Sequence, residues 1–213
     1  MRNAGQIKKI DDCMETKKFC VQEKDHASIL ESIKVCGQRK DLQKGVEIHS
    51  DILRKKLYHK DIFITNALMG MYIKCNAFGK AQNVFDELAI RTVVSWNVLI
   101  AGYTQHEQYH KALKCFAQMQ ADGFLPDEAT FSCILKACSR TRCIDIGKQI
   151  HKEIVGRSLL GRSVLLGTTL VGMYAKCGEH DKAYQVLEEL PIRNVFSWNA
   201  LIGGYAEWEQ GQK

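Results

Sequence analysis

The chain copies itself at an offset of 102 residues, so that Met69–Tyr103 returns as Val171–Tyr205. Residues 26–111 slide onto 128–213 without a gap, and 32 of the 86 pairs are identical. Gly45/Gly147, His49/His151, Cys75/Cys177, Trp96/Trp198, Asn97/Asn199 and Tyr103/Tyr205 all coincide. The chain is therefore an array. A period this long exceeds the roughly 20–50 residues of a solenoid unit and must divide further. Three helix-pair units of unequal length fit inside it: 26–61, 62–92 and 93–127, followed by 128–163, 164–194 and an incomplete 195–213. Met1–Asp25 reads either as a leader or as a degenerate partial repeat. Asp11, Asp12 and Glu15 with no serine fit poorly with a transit peptide.

One unit shows how the pattern becomes structure. In 93–127, Trp96, Leu99, Ile100 and Tyr103 step by three and four, which predicts a helix near 95–105. Ala112, Phe116 and Met119 mark a second helix over about 109–121, ended by Gly123 and Pro126. In 62–92 the same places hold Leu68, Met71, Tyr72 and Cys75, then Ala81, Val84, Phe85 and Leu88. A single hairpin cannot bury both stripes, so neighbours must stack and share one apolar seam. The expected fold is all-α.

The composition agrees with a folded helical body: 46% hydrophobic, 25% charged, and only two prolines, Pro126 and Pro191, each at the end of a unit. No apolar run approaches the roughly 18 residues needed to span a bilayer, and no membrane partner is expected. The net charge of +6 favours a polyanion without requiring one. Nine cysteines show neither disulfide-scaffold spacing nor a C-x-x-C pair, which points to a reducing compartment. Cys133, Cys138 and Cys143 recur every five residues, a step that rotates around a helix and does not converge on a metal.

His106-Glu107-Gln108-Tyr109-His110 matches the zinc-protease string H-E-x-x-H. In the repeat frame it falls across the turn between two helices, and the matching Trp208-Glu209-Gln210-Gly211-Gln212 lacks the ligands. His49 and His151 are expected to be packing histidines on second helices. No phosphate-binding loop, nucleophile elbow or deaminase signature is present, so no enzyme activity, metal or cofactor is expected of these residues.

The strings MGMYIKC, VGMYAKC, SWNVLIAGY, SWNALIGGY, FLPD and GKQIH resemble the pentatricopeptide repeat family of plants. The unequal lengths resemble its subclass of motif triplets, with 26–61 and 128–163 as long-type, 62–92 and 164–194 as short-type, and 93–127 and 195–213 as standard repeats. The resemblance implies a right-handed α-solenoid that binds single-stranded RNA, one unit per nucleotide. It further implies a role in selecting cytidines for C-to-U editing in the chloroplast or mitochondrion, with editing-complex proteins as further partners.

In that family the fifth residue of a unit pairs with its last residue to choose the base. The matching pairs are Asn66 with Thr92, Asn97 with Asp127, and Thr168 with Asn194, and Asn199 opens a further one. The resemblance implies a pyrimidine, uracil and adenine for the three pairs, while Leu30/Asp61 and Ser132/Ser163 in the long-type units have no clear reading. Second residues Phe63, Val94, Leu165 and Phe196 would stack on bases, and Lys74 and Lys176 would touch phosphate. The alternatives are a helical-repeat protein–protein scaffold and an organellar RNA splicing or stability factor.

Overall fold

The computed structural model describes residues 26–55 and 61–211. The expected leader or partial repeat at Met1–Asp25 lies outside them, as do residues 56–60 of the expected long-type repeat at 26–61 and residues 212–213. Among the described residues every regular element is a helix. The chain divides into two compact units, one ending at Ala89 and the other beginning at Ile90. In the first, α1 spans 26–39, α2 Leu42–Arg54, α3 Ile62–Lys74 and α4 Phe78–Asp86. In the second, α5 spans Val93–Gln105, α6 Tyr109–Ala121, α7 Glu128–Thr141, α8 Ile144–Gly156, α9 Val164–Lys176, α10 His180–Glu189 and α11 Val195–Gln210. No described helix is long and apolar enough to cross a membrane.

Each turn between paired helices is built alike. Its backbone passes through one left-handed residue: Lys40 at φ 55, Asn76 at 57, Glu107 at 60, Arg142 at 55 and Gly178 at 83. The following N–H reaches back five residues, from Asp41 to Cys36 O at 3.0 Å, Ala77 to Tyr72 O at 2.8 Å, Gln108 to Tyr103 O at 2.8 Å and Glu179 to Tyr174 O at 3.0 Å. This closure satisfies carbonyls that the helix end leaves unpaired. It also settles the H-E-x-x-H string. His106 ends α5, Glu107 sits in the left-handed turn, and His110 lies on α6, so the two histidines do not share a helix face.

Helices α3, α5, α7, α9 and α11 each begin on a capping side chain. Asp61 accepts from Phe63 N–H at 2.8 Å, Thr92 from Ser95 N–H at 3.3 Å, Asp127 from Thr130 N–H at 2.9 Å, Ser163 from Leu166 N–H at 3.3 Å and Asn194 from Ser197 N–H at 3.0 Å. These five residues stand at the expected unit ends, and each cap contributes about 1 kcal/mol.

In the second unit, α5, α7, α9 and α11 pack in succession, and α6, α8 and α10 flank them as in an α-solenoid. The core runs along this stack through Leu99, Phe116, Phe131, Ile134, Leu170 and Val186, all nearly inaccessible. In the first unit α3 packs between α2 and α4, burying Ile52, Leu68, Met69, Tyr72 and Phe85. Small residues set the closest approach. A Cβ on Gly204 of α11 would overlap the Ala175 Cβ of α9 and lie 3.3 Å from the Ala175 and Lys176 backbone.

Candidate nucleic-acid interface

In the second unit the stacked first helices leave a groove of about 470 Å³. Thr104 and Gln105 of α5, Ser132 and Lys136 of α7, and Thr168 and Lys176 of α9 line it. Fifth residues of successive units, Ser132 and Thr168, thus share one surface. Its polar side chains carry hydroxyl, amide and ammonium groups with no carboxylate, and Ala101, Cys133, Met173 and Ala200 complete the wall with apolar surface.

The Asn97/Asp127 pair is joined directly. The Asn97 Nδ2 atom donates to both carboxylate oxygens of Asp127, at 3.0 and 2.9 Å. The Asn97 Oδ1 atom lies 2.6 Å from the Thr130 hydroxyl. Burial alone would push the Asp127 carboxyl upward, but the Thr130 backbone and side chain and the Asn97 amide outweigh it and hold the group below its ordinary range. One carboxylate therefore both caps α7 and orients the amide on α5.

Thr168 and Asn194 are arranged differently. Asn194 Oδ1 is occupied by its own helix cap, accepting from Ser197 N–H, and Thr168 Oγ1 is covered and has no hydrogen-bond partner among the described residues. Asn66 lies half-buried on α3 of the first unit with Oδ1 likewise unpartnered, and Thr92 caps α5 of the second. Asn199 is exposed on α11. The four second-position residues Phe63, Val94, Leu165 and Phe196 are between 59% and 74% exposed, a range they share with Ile90, Leu125, Ile192, Val195 and Ile202.

The two lysines expected at phosphate differ in their surroundings. Lys74 is exposed. Lys176 Nζ lies 2.8 Å from Glu207 Oε1 and its side chain is 22% exposed, so its charge is already partly balanced. Lys136, which the sequence reading passed over, is exposed and lines the groove. Its match with Lys34 at the 102-residue offset was the available signal.

The histidines have partners that recur with the array. His49 Nδ1 meets the Tyr72 hydroxyl at 2.8 Å, and His151 Nδ1 meets that of Tyr174 at 2.9 Å. Burial lowers both imidazoles from their ordinary value and pushes both phenols up to about 12. Rings held neutral in this way join α2 to α3 and α8 to α9.

Comparison with known proteins gives a consistent answer. The PPR repeat family matches residues 91–140 and the PPR repeat matches 168–195. Similar chains from Arabidopsis thaliana include the pentatricopeptide repeat-containing protein At2g13600, 36% identical over 86% of this chain and 26% of its own length. The chloroplastic At1g11290 is 38% identical over 83% and 22%, and the mitochondrial At3g09040 is 38% identical over 82% and 17%. The chain thus spans about a quarter or less of these relatives. Among solved structures, the maize pentatricopeptide repeat protein PPR10 aligns with a TM-score of 0.58 at 15% identity, over 86% of this chain and 32% of that one. PPR10 in complex with an 18-nt psaJ RNA element aligns at 0.61 and 17% identity, over 84% and 27%. The repeat strings, the capped hairpins and these matches agree, and the chain belongs to the PPR repeat family.

Proposed function

We propose that this chain is a sequence-specific single-stranded RNA-binding module, part of a specificity factor for organellar C-to-U RNA editing. The observation that carries the RNA reading is the Asn97/Asp127 bond, which fixes a fifth-position amide on α5, the helix that also supplies Thr104 and Gln105 to the groove. Polar character at the ends of the units is weaker support than the sequence suggested, because helix capping alone accounts for Thr92, Asp127 and Asn194. Capping does not account for an asparagine at the fifth position held by the capping carboxylate. Nor does it account for four exposed apolar side chains at second positions, suited to stacking on bases.

The editing role rests on the triplet cadence of long, short and standard units, which distinguishes this array from one of standard units alone. Relatives named chloroplastic and mitochondrial favour an organelle as the site of action. PPR10 in complex with RNA supports the ligand class. The sequence read 5′ to 3′ is pyrimidine, uracil, any base, adenine, from Asn66/Thr92 through Thr168/Asn194. Each good polar base contact discriminates by about 1–3 kcal/mol, so three readable units bind modestly. Gel shifts with short RNAs containing this tetranucleotide, against scrambled sequences and at low and moderate salt, test the proposal. Tighter binding of the matched RNA is expected, and equal binding of the scrambled RNAs contradicts it.

A further inference from the structure

Helices α8 and α10 each pack on α9 and not on each other. The gap between them is a cleft of about 560 Å³, a size that suits a small ligand. Lys148, His151, Lys152 and Val155 of α8 line it, with Tyr174 of α9 and Lys182 of α10, and no carboxylate is among the lining residues. Lys148 Nζ is balanced by Glu179 Oε1 at 2.6 Å. Lys182 Nζ meets the neutral amide oxygen of Gln185 at 2.9 Å, and Lys152 has no ion-pair partner among the described residues. Two ammonium groups therefore line the cleft without a counter-charge bonded to them.

The packing does not require these charges. At the 102-residue offset His49 and Tyr72 repeat the contact of His151 with Tyr174, while Val46 and Ser50 stand where α8 carries Lys148 and Lys152. The histidine and tyrosine add an unspent donor to the cleft. A neutral imidazole brings one N–H and a phenol one O–H, and the 2.9 Å bond at Nδ1 consumes one of the two. His151 Nε2 is buried and has no partner among the described residues. Donors thus exceed acceptors around this cleft, and a ligand that supplies the acceptors completes it.

We propose that the cleft binds a small aromatic anion, a carboxylate or sulfonate. Its charged head meets Lys152 of α8 and Lys182 of α10, and its ring lies along Val155, the aliphatic stems of the lysines and the floor made by His151 and Tyr174. The ring is part of the recognition because the lining is mostly apolar. An inorganic anion would meet the ammonium groups and leave that surface to water. The cleft shares no lining residue with the groove, so the proposal does not depend on the base-reading assignment.

The test titrates the chain with anilinonaphthalene sulfonate, an aromatic anion whose fluorescence rises at an apolar site, and thermal melts verify that each variant is folded. Lys152→Met with Lys182→Met keeps the apolar stems and removes the charges, and is expected to weaken binding about tenfold. Lys152→Arg with Lys182→Arg keeps the charges and is expected to stay within about twofold of the parent. Lys111→Met with Lys114→Met on α6 removes the same net charge elsewhere and should leave the affinity unchanged. Absence of binding to the parent, or equal affinity in the parent and the Lys152→Met, Lys182→Met variant, overturns the proposal. An equal loss in the α6 variant also overturns it, since overall charge would then account for the binding. Displacement of the probe by the matched tetranucleotide RNA would place it in the groove and overturn the proposal as well, whereas failure of the base-reading assignment leaves it standing.

Discussion

The imidazole of His151 meets the hydroxyl of Tyr174 at 2.9 Å, in a contact repeated 102 residues earlier between His49 and Tyr72 at 2.8 Å. Burial depresses both histidines, so in the folded chain they take up a proton less readily than in the unfolded one. Stability from this source is complete above the ordinary histidine pKa of about 6.5 and is lost as pH falls through that value towards the folded one. Urea melts at about pH 7.5 and about pH 5.5 should show a lower midpoint at the acid value. His151→Phe should reduce that difference while costing about 1–3 kcal/mol at neutral pH, because the buried Tyr174 hydroxyl loses its partner. Equal midpoints in the parent at both pH values would contradict the neutral-ring account.

The close approach of α9 and α11 depends on Gly204. A methyl group there meets the Ala175 Cβ and lies 3.3 Å from backbone atoms of Ala175 and Lys176, which cannot swing aside as a flexible side chain would. Gly204→Ala should therefore destabilise the chain by about 1–3 kcal/mol despite the better helix propensity of alanine. Gly203→Ala is the control, since a Cβ there meets nothing within 4 Å, and it should be neutral or slightly stabilising. A chemical melt ranking the two variants in the opposite order would refute this packing.

Salt dependence separates the lysines of the groove. Lys136 is exposed there, whereas Lys176 is held at 2.8 Å by Glu207. Lys136→Ala should reduce the slope of log affinity against log salt by about 0.7, the single-strand value for one phosphate. Lys176→Ala should reduce it less, and Glu207→Gln should steepen the slope by freeing Lys176. Measurement of RNA affinity over a salt series checks all three.

Much of the fold could be read from the chain because packing stripes and turn residues are local signals. The predicted helices near 95–105 and 109–121 correspond to Val93–Gln105 and Tyr109–Ala121, the first starting two residues earlier because Thr92, and not a stripe residue, caps it. What the repeats share in sequence they do not always share in environment. Trp96 is 2% exposed beside Phe124, and its match Trp198 is 42% exposed. The motif gives the stripe, but burial depends on what stands against it. The Lys176–Glu207 pair and the reach of Thr130 to Asn97 were illegible for the same reason, since both depend on the distance between helices that are not neighbours in sequence. The His–Tyr contacts could have been found, because both members recur together at the 102-residue offset.

Stacked hairpins that read one base each through a fifth-position side chain and a capping residue form the central claim, and a paired substitution tests it most directly. In the chain carrying Asn97→Ser with Asp127→Asn, asparagine still caps α7, so the helix start is retained. Affinities for RNAs varied at the single nucleotide facing that unit should shift from uracil in the parent to adenine in the double variant, with the flanking preferences unchanged. An unchanged preference for uracil, or a uniform loss of affinity for all four bases, would contradict the account.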